Sequence, residues 1–211
     1  MAASGVAVTE RSAAPRRPPA WGLLGDAGLR RLFFINWLIA ACWDAHALAL
    51  PLLGHQRGLS AQSLASVLAC YAVASAAVRL LIPLLARRLQ AGRLMALGLA
   101  LAAAVFATYP WLHSAWAMAA AAALLGLGLG AIQPAVMATL HVLSPPGRQG
   151  EALGLRSTVI HFSTLVMPLG LGALGAAMGV LPVLWLTAAA LAAGAWQATR
   201  LPTDRGEAKS V

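Results

Sequence analysis

The chain has 211 residues, of which 60% are hydrophobic and only 10% charged, and its mean hydropathy is +0.77. A soluble domain of this size carries about 25% charged residues and about 45–50% apolar ones. The composition therefore excludes an ordinary soluble enzyme, a disordered protein and a disulfide scaffold, and it indicates a polytopic membrane protein. The two cysteines, Cys42 and Cys70, both lie in apolar stretches and form no disulfide framework.

Six stretches of the sequence are apolar over about 20 residues, the length that a helix needs to cross a bilayer. The breaks between them are short and carry charged or turn-forming residues, and the weakest break is at Gly179. The sequence therefore predicts an all-α membrane protein with six transmembrane helices. The predicted spans are Leu32–Leu53, Gln62–Ala86, Leu94–Leu112, Ala115–Leu140, Leu155–Met178 and Leu181–Thr199.

Positive charge is distributed unevenly among the predicted loops. With the N-terminus in the cytoplasm, 13 of the 15 Lys and Arg residues fall in cytoplasmic segments; the exceptions are Arg57 in an outer loop and Arg79 in the second span. Cytoplasmic loops are enriched in Lys and Arg, so both termini are expected to be cytoplasmic. The net charge of +9 then reflects topology and contact with anionic membrane lipid, and no nucleic-acid partner is expected. High Ala and Arg content, typical of a GC-rich bacterium, predicts the inner membrane.

The expected domain organisation has three parts. Residues 1–28, rich in Ala, Pro, Ser and Arg, are predicted to be a disordered basic cytoplasmic tail. Residues 29–200 are predicted to form the six-helix transmembrane domain, and residues 201–211 a second cytoplasmic tail. Two glycine pairs, Gly126/Gly130 and Gly175/Gly179, have the four-residue spacing that allows transmembrane helices to approach closely.

Three segments together resemble one half of a major facilitator superfamily transporter. Residues 79–93 are similar to the family's signature between spans two and three, roughly Gly-x-Leu-Ala-Asp-Arg-x-Gly-Arg-Arg, with one residue inserted. Four residues match that signature in type: Ala86, Arg88, Gly92 and Arg93. Pro83 and Arg87 stand where Gly and Asp are usual. The Gly-rich stretch 126–134 is typical of a fourth span, and residues 145–156 resemble the loop that leads into the eleventh span.

The resemblance covers about residues 29–200 and implies a six-helix bundle of two three-helix repeats, similar to the C-terminal half of such a carrier. It implies transport of a small-molecule substrate by alternating access around a site at the membrane midplane. A family carrier has twelve spans in two halves, so two alternatives stay open. The chain pairs with a second six-span chain, as a homodimer or with a separate half, or it is a truncated or accessory protein that associates with another half without transporting.

Asp44 is the sharpest candidate for a functional residue. It lies next to the midpoint of the first span, where a charge costs about 2.5–3.5 kcal/mol on insertion scales. The resemblance places the first span of each half at the central cavity, so we expect Asp44 to line the translocation path and to bind a proton or a cation. The alternative is a protonated Asp44 that hydrogen-bonds a neighbouring helix. His46 lies about 200° further around the helix, so the two are not expected to share a metal.

Polar stripes on three further spans supply weaker candidates. They consist of Tyr71, Ser75 and Arg79 on the second span, Gln133, Met137 and His141 on the fourth, and Ser157, His161 and Thr164 on the fifth. Arg79 is expected to pair with Asp44 or a substrate anion, or else to anchor the cytoplasmic loops. Gln133 and His161 are candidates for the substrate or ion path, although such stripes most often form hydrogen bonds between helices.

Charged residues near the predicted cytoplasmic ends form a candidate gate or loop network. The network comprises Arg87, Arg88, Arg93, Glu151 and Arg156. Within it, Glu151 and Arg156 are expected to form a salt bridge. The sequence shows no clustered His and Cys spacing and no nucleophile with a base and an orienting group. We therefore predict no metal, no cofactor and no catalytic residue, and we do not expect an enzyme.

Overall fold

The structure, a computed structural model, describes residues 19–85 and 90–201, and every regular element in those ranges is a helix. The six long helices are α1 (Ala27–Gln56), α2 (Ala61–Leu85), α3 (Ala91–Thr108), α4 (Ala115–Leu143), α5 (Gln149–Met178) and α6 (Val180–Ala198). A short 3-10 helix, Ala20–Gly25, precedes α1, and another, Tyr109–Trp111, follows α3. All six helices are long and apolar enough to cross a membrane, which confirms the all-α, six-span prediction.

Five of the six helices begin earlier than the predicted spans, and the largest differences are at α1 and α5. Asp26 caps the first turn of α1 and accepts a hydrogen bond of 2.8 Å from the Leu29 amide, so the helix starts at Ala27. Leu23, within the segment predicted as a disordered tail, is only 3% exposed, because the 3-10 helix packs against α1 and α5. The predicted tail boundary at residue 28 is therefore too late. Residues 1–18 and 202–211 of the two predicted tails lie outside the described residues.

A single residue, Gly179, separates α5 from α6. Its φ of +83° lies in the left-handed region, which glycine adopts without steric cost. The chain therefore reverses there, and the two helices are distinct elements. The structure therefore confirms the weakest of the predicted breaks, the one at Gly179 between the fifth and sixth spans.

The helix packing follows the pattern expected of two three-helix repeats. The most extensive contacts are between α2 and α4, between α3 and α6, and between α3 and α4. In two equivalent repeats, α1 corresponds to α4, α2 to α5 and α3 to α6. The equivalents of these three pairs are α5 with α1, α6 with α3 and α6 with α1, and they also pack together. The bundle thus has an internal pseudo-symmetry in which α3 and α6 pack against each other and α1 is equivalent to α4.

Two glycines of α4 allow it to pack closely against the backbone of α2. A Cβ added at Gly126 would lie 2.3 Å from the Tyr71 carbonyl oxygen, and one at Gly130 would lie 2.8 Å from the Ser75 carbonyl oxygen. The prediction of close packing is confirmed for this pair, which holds α4 against α2. The other pair makes no close contact within the bundle, because Cβ atoms at Gly175 and Gly179 would meet nothing within 4 Å there.

Arg57, in the turn between α1 and α2, holds the end of α3. Its guanidinium donates hydrogen bonds to the carbonyl oxygens of Tyr109 at 2.9 Å and Pro110 at 2.8 Å, and also to that of Leu112. Partial burial among these carbonyls lowers the pKa of Arg57 from its ordinary value. The side chain therefore adds hydrogen bonds to carbonyl groups at the end of this helix, where the regular intrahelical pattern stops.

Replacing Arg57 by Gln is expected to lower the unfolding free energy by about 1.5–3 kcal/mol, because hydrogen bonds to a charged donor are lost. The thermal melting temperature of the purified protein in detergent measures this change. Arg30→Gln is the matched control, since exposed Arg30 makes one long hydrogen bond of 3.4 Å to Leu24. Equal melting temperatures for the two variants would contradict the role given to Arg57.

Candidate functional site

A polar cavity of about 320 Å³ lies among α1, α2, α4 and α5. Its polar lining consists of Asn36, Asp44, Tyr71, Ser75, Arg79, Gln133 and Thr164. Trp43 and several aliphatic side chains complete it. Because helices that are apolar enough to cross a membrane surround this polar space, the cavity is the candidate functional site of the bundle.

The α1 side of the cavity carries polar atoms without partners. Asn36, Ala40 and Asp44 follow each other at four-residue spacing and so share one face of the helix. Among the described residues, the Nδ2 atom of Asn36 and the Oδ2 atom of Asp44 are buried and have no hydrogen-bond partner. A buried polar atom left unbonded costs about 1–3 kcal/mol, so such atoms call for a function or a ligand. Asp44 lines the cavity where the sequence predicted a translocation path.

The stripe predicted on α2 faces the same cavity. Tyr71, Ser75 and Arg79 all line it, and the Tyr71 ring lies 4.9 Å from the Trp43 ring of α1, measured between centroids. Arg79 and Asp44 do not form an ion pair. In the part of the chain that the structure describes, the ion pair is between Arg148 and Glu151.

The stripes predicted on α4 and α5 reach the cavity only in part. Gln133 and Thr164 line it, whereas Met137, His141, Ser157 and His161 are exposed and are not part of its lining. On α5 the inward face is formed by Ile160 and Thr164, four residues apart. His161 lies about 60° from Thr164 and 100° from Ile160 around the helix, beside the inward face, and it is exposed and outside the lining.

Arg156 joins three helices at one end of the cavity, an arrangement that the sequence analysis did not predict. Its Nε atom donates to the Asn36 Oδ1 atom at 3.1 Å, and one terminal nitrogen donates to the Gln133 Oε1 atom at 2.8 Å. The prediction missed this network because it began the fifth span at Leu155. In the structure α5 begins at Gln149, so Arg156 lies about two turns inside the helix.

The expected salt bridge between Glu151 and Arg156 is wrong. A carboxylate oxygen of Glu151 instead accepts hydrogen bonds of 2.6 and 2.8 Å from Arg148. Residues three apart on a helix are neighbours, whereas residues five apart lie about 140° from each other around it. Arg93 is exposed in the first turn of α3, and Arg87 and Arg88 of the same predicted network lie outside the described residues.

His46 belongs to the packed interior and not to the polar cavity. Its Nδ1 atom lies 3.3 Å from the Tyr109 hydroxyl, and its ring contacts those of Tyr71 and Phe106. Asp44 and His46 therefore face different surroundings, as their spacing predicted. Across residues 19–85 and 90–201, no three His, Cys, Asp or Glu side chains come together as a metal site requires.

A multi-pass helical bundle with a polar cavity between its helices is the architecture of a membrane transporter half. The sequence model of the Major Facilitator Superfamily matches residues 32–210, so the chain belongs to this family. Its six membrane-capable helices fit one half of the family's fold. No curated protein matches the chain. Membership in the family makes this a multi-pass membrane protein of the transporter type, in contact with lipid.

Proposed function

We propose that the protein carries a small solute across the membrane by alternating access, with the polar cavity as its binding place. The observation that carries this proposal is the cavity itself, with the unpartnered Asp44 carboxylate oxygen and Asn36 amide nitrogen in its wall. Unbonded polar groups are costly inside a membrane and mark substrate or ion pathways. Asp44 lines the path and binds a proton or a cation during the cycle.

A second six-helix bundle completes the path in this proposal. The helices α2 and α5 bury only 22% and 11% of their spans within the bundle, less than the other four. They expose large apolar side chains, among them Leu80, Leu165 and Leu169. A second chain, either another copy or a separate half, would cover this side and enclose the cavity. The uneven positive charge supports an orientation with both termini in the cytoplasm, and the high Ala and Arg content supports the inner membrane as its location.

Alternating access predicts that a thiol in the cavity reacts from both sides of the membrane, one side at a time. The suitable variant is Thr164→Cys with both native cysteines, Cys42 and Cys70, replaced by Ala. Exposed Thr164 lines the cavity, and its hydroxyl bonds only within its own helix, to the Ile160 carbonyl at 3.1 Å. The measurement is the labelling rate by a membrane-impermeant thiol reagent added to either side of sealed vesicles. When an imposed proton gradient raises the rate on one side, it is expected to lower the rate on the other.

His113→Cys in the same background is the control. His113 is exposed in the segment between α3 and α4, outside the spans. We therefore expect the thiol reagent to label this position from one side of the membrane only, at a rate that the gradient leaves unchanged. Labelling of the Thr164→Cys thiol from one side only, under every gradient, would contradict alternating access. Rates that rise together on both sides would indicate a channel instead.

A further inference from the structure

The polar and charged side chains that line the cavity lie at different depths along the bundle. Asn36 and Asp44 are eight residues apart on α1, which separates them by about 12 Å along the helix axis. The ring contact between Trp43 and Tyr71 places these two residues at the same level on the antiparallel helices α1 and α2. Eight residues further along α2, Arg79 therefore lies near the level of Asn36, at the end of the cavity away from Asp44.

Arg156 does not line the cavity itself, but it brings a second positive charge directly behind the lining at the same end. It hydrogen-bonds the side-chain oxygens of Asn36 and Gln133, both of which line the cavity. Neither acceptor is charged, so these hydrogen bonds do not neutralise Arg156. Among the described residues, the ion pair is the one between Arg148 and Glu151 at the start of α5. At the Asn36 end, one guanidinium group (Arg79) thus lies in the cavity lining and a second (Arg156) is bonded to lining residues, and neither has a carboxylate partner in the described chain.

The unused hydrogen-bonding capacity at this end consists of donors. A guanidinium has five N–H groups, and two nitrogens of Arg156 are engaged by the amide oxygens. The Asn36 side chain is 2% exposed and uses its oxygen as an acceptor, which leaves its buried Nδ2 group without a partner. Positive charge with spare N–H donors is complementary to a carboxylate or another oxyanion, which accepts hydrogen bonds and neutralises the charge.

We propose that the Asn36 end of the cavity binds the anionic group of a small organic acid, with Arg156 and Arg79 as its cationic ligands. Asn36 positions Arg156 through its oxygen and donates its free N–H to the same anion. The Asp44 end is left for a polar group of the same molecule or for a proton. This inference rests on the proposed transport function, because the solute that occupies the site is the one carried.

The test is binding to the purified full chain, measured by calorimetry with benzoate and succinate as probes. Their uncharged amides, benzamide and succinamide, have nearly the same shape and isolate the effect of charge. We expect the carboxylates to bind and the amides not to bind. Arg156→Gln and Arg79→Gln are each expected to weaken carboxylate binding about tenfold or more, because charged hydrogen bonds are lost. Arg30→Gln, an exposed arginine outside the cavity, is expected to leave binding unchanged.

Asn36→Asp is the most discriminating variant. It keeps the oxygen that accepts from Arg156 and replaces the unpartnered N–H₂ by a carboxylate oxygen, so the cluster becomes an internal ion pair. We expect this variant to fold at least as well as the natural protein and to lose carboxylate binding. It keeps the test decisive if Arg156→Gln fails to fold.

Three results would overturn the inference: amides that bind as well as carboxylates, carboxylate binding that survives Asn36→Asp, or binding by none of the four probes. Uptake into proteoliposomes separates this inference from the transport function. A carboxylate that binds through Arg156 but is not taken up would contradict transport and leave the anion site standing. Uptake of an uncharged solute that Arg156→Gln leaves unchanged would contradict the anion site and leave transport standing.

Discussion

Replacing Asp44 by Asn is expected to reduce solute uptake about 10- to 100-fold and to remove its dependence on pH. The magnitude corresponds to the loss of a charge-assisted hydrogen bond, and each 1.4 kcal/mol is a factor of ten. Asp44 lies in the cavity wall with a buried oxygen that no described residue satisfies, so we expect its partner in the cycle to be a proton or a cation. Initial uptake rates in proteoliposomes at several pH values measure the effect.

Protein stability separates a role in transport from a role in folding. Removing the charge from the middle of a span removes part of an insertion cost of about 2.5–3.5 kcal/mol, so the Asn variant is expected to melt at the same temperature or higher. Asp44→Glu keeps a titratable carboxylate and is expected to recover part of the uptake and its pH profile. An Asn variant with natural uptake and natural pH dependence would show that Asp44 is not part of the path.

Replacing Gly126 by Ala is expected to destabilise the bundle by about 1–3 kcal/mol, the usual cost of overpacking a close contact. The added Cβ would lie 2.3 Å from the Tyr71 carbonyl oxygen, and this atom belongs to the backbone of α2, so the two helices must separate. The same contact positions Tyr71 and Ser75 in the cavity wall. Thermal unfolding in detergent measures the loss of stability, and solute binding is expected to weaken with it.

Gly170→Ala is the matched control on α5. A Cβ at Gly170 would meet nothing within 4 Å, so the substitution adds no clash. Ala is favoured over Gly inside a helix by roughly 0.5–1 kcal/mol, so this variant is expected to be slightly more stable. If both variants shift the melting temperature in the same direction, the tight contact between α2 and α4 does not limit stability.

The sequence could predict the helices, and on α2 it also predicted the face that lines the cavity. Tyr71, Ser75 and Arg79 are polar at four-residue spacing in an apolar span, and such a stripe faces protein or water in preference to lipid. Asp44 was predictable for the same reason, since a carboxylate at mid-span is expensive. The spans themselves follow from the length of their apolar stretches.

The contribution of α5 to the cavity could not be predicted in the same way. This helix buries only four residues within the bundle, Ala152, Leu155, Ser163 and Leu171, so its sequence gives little indication of an inward face. The predicted stripe on α5 contained Thr164, which lines the cavity, but also the exposed His161, and it missed the apolar Ile160. The bond from Arg156 to Asn36 joins residues 120 positions apart, and only the folded chain brings them together.

The link between α5 and α6 has a mechanical consequence. Gly179 is the single residue between Met178 and Val180, so the adjoining ends of α5 and α6 cannot move far apart. Several residues separate α4 from α5, and that connection is longer. We therefore expect a tilt of α5, which would widen or narrow the cavity, to displace the start of α6 as well. The helix α6 packs in turn on α1 and α3. The cavity wall formed by α5 is thus coupled through one residue to α6, and through α6 to α1 and α3, so we expect a displacement of α5 to reach helices on the opposite side of the bundle.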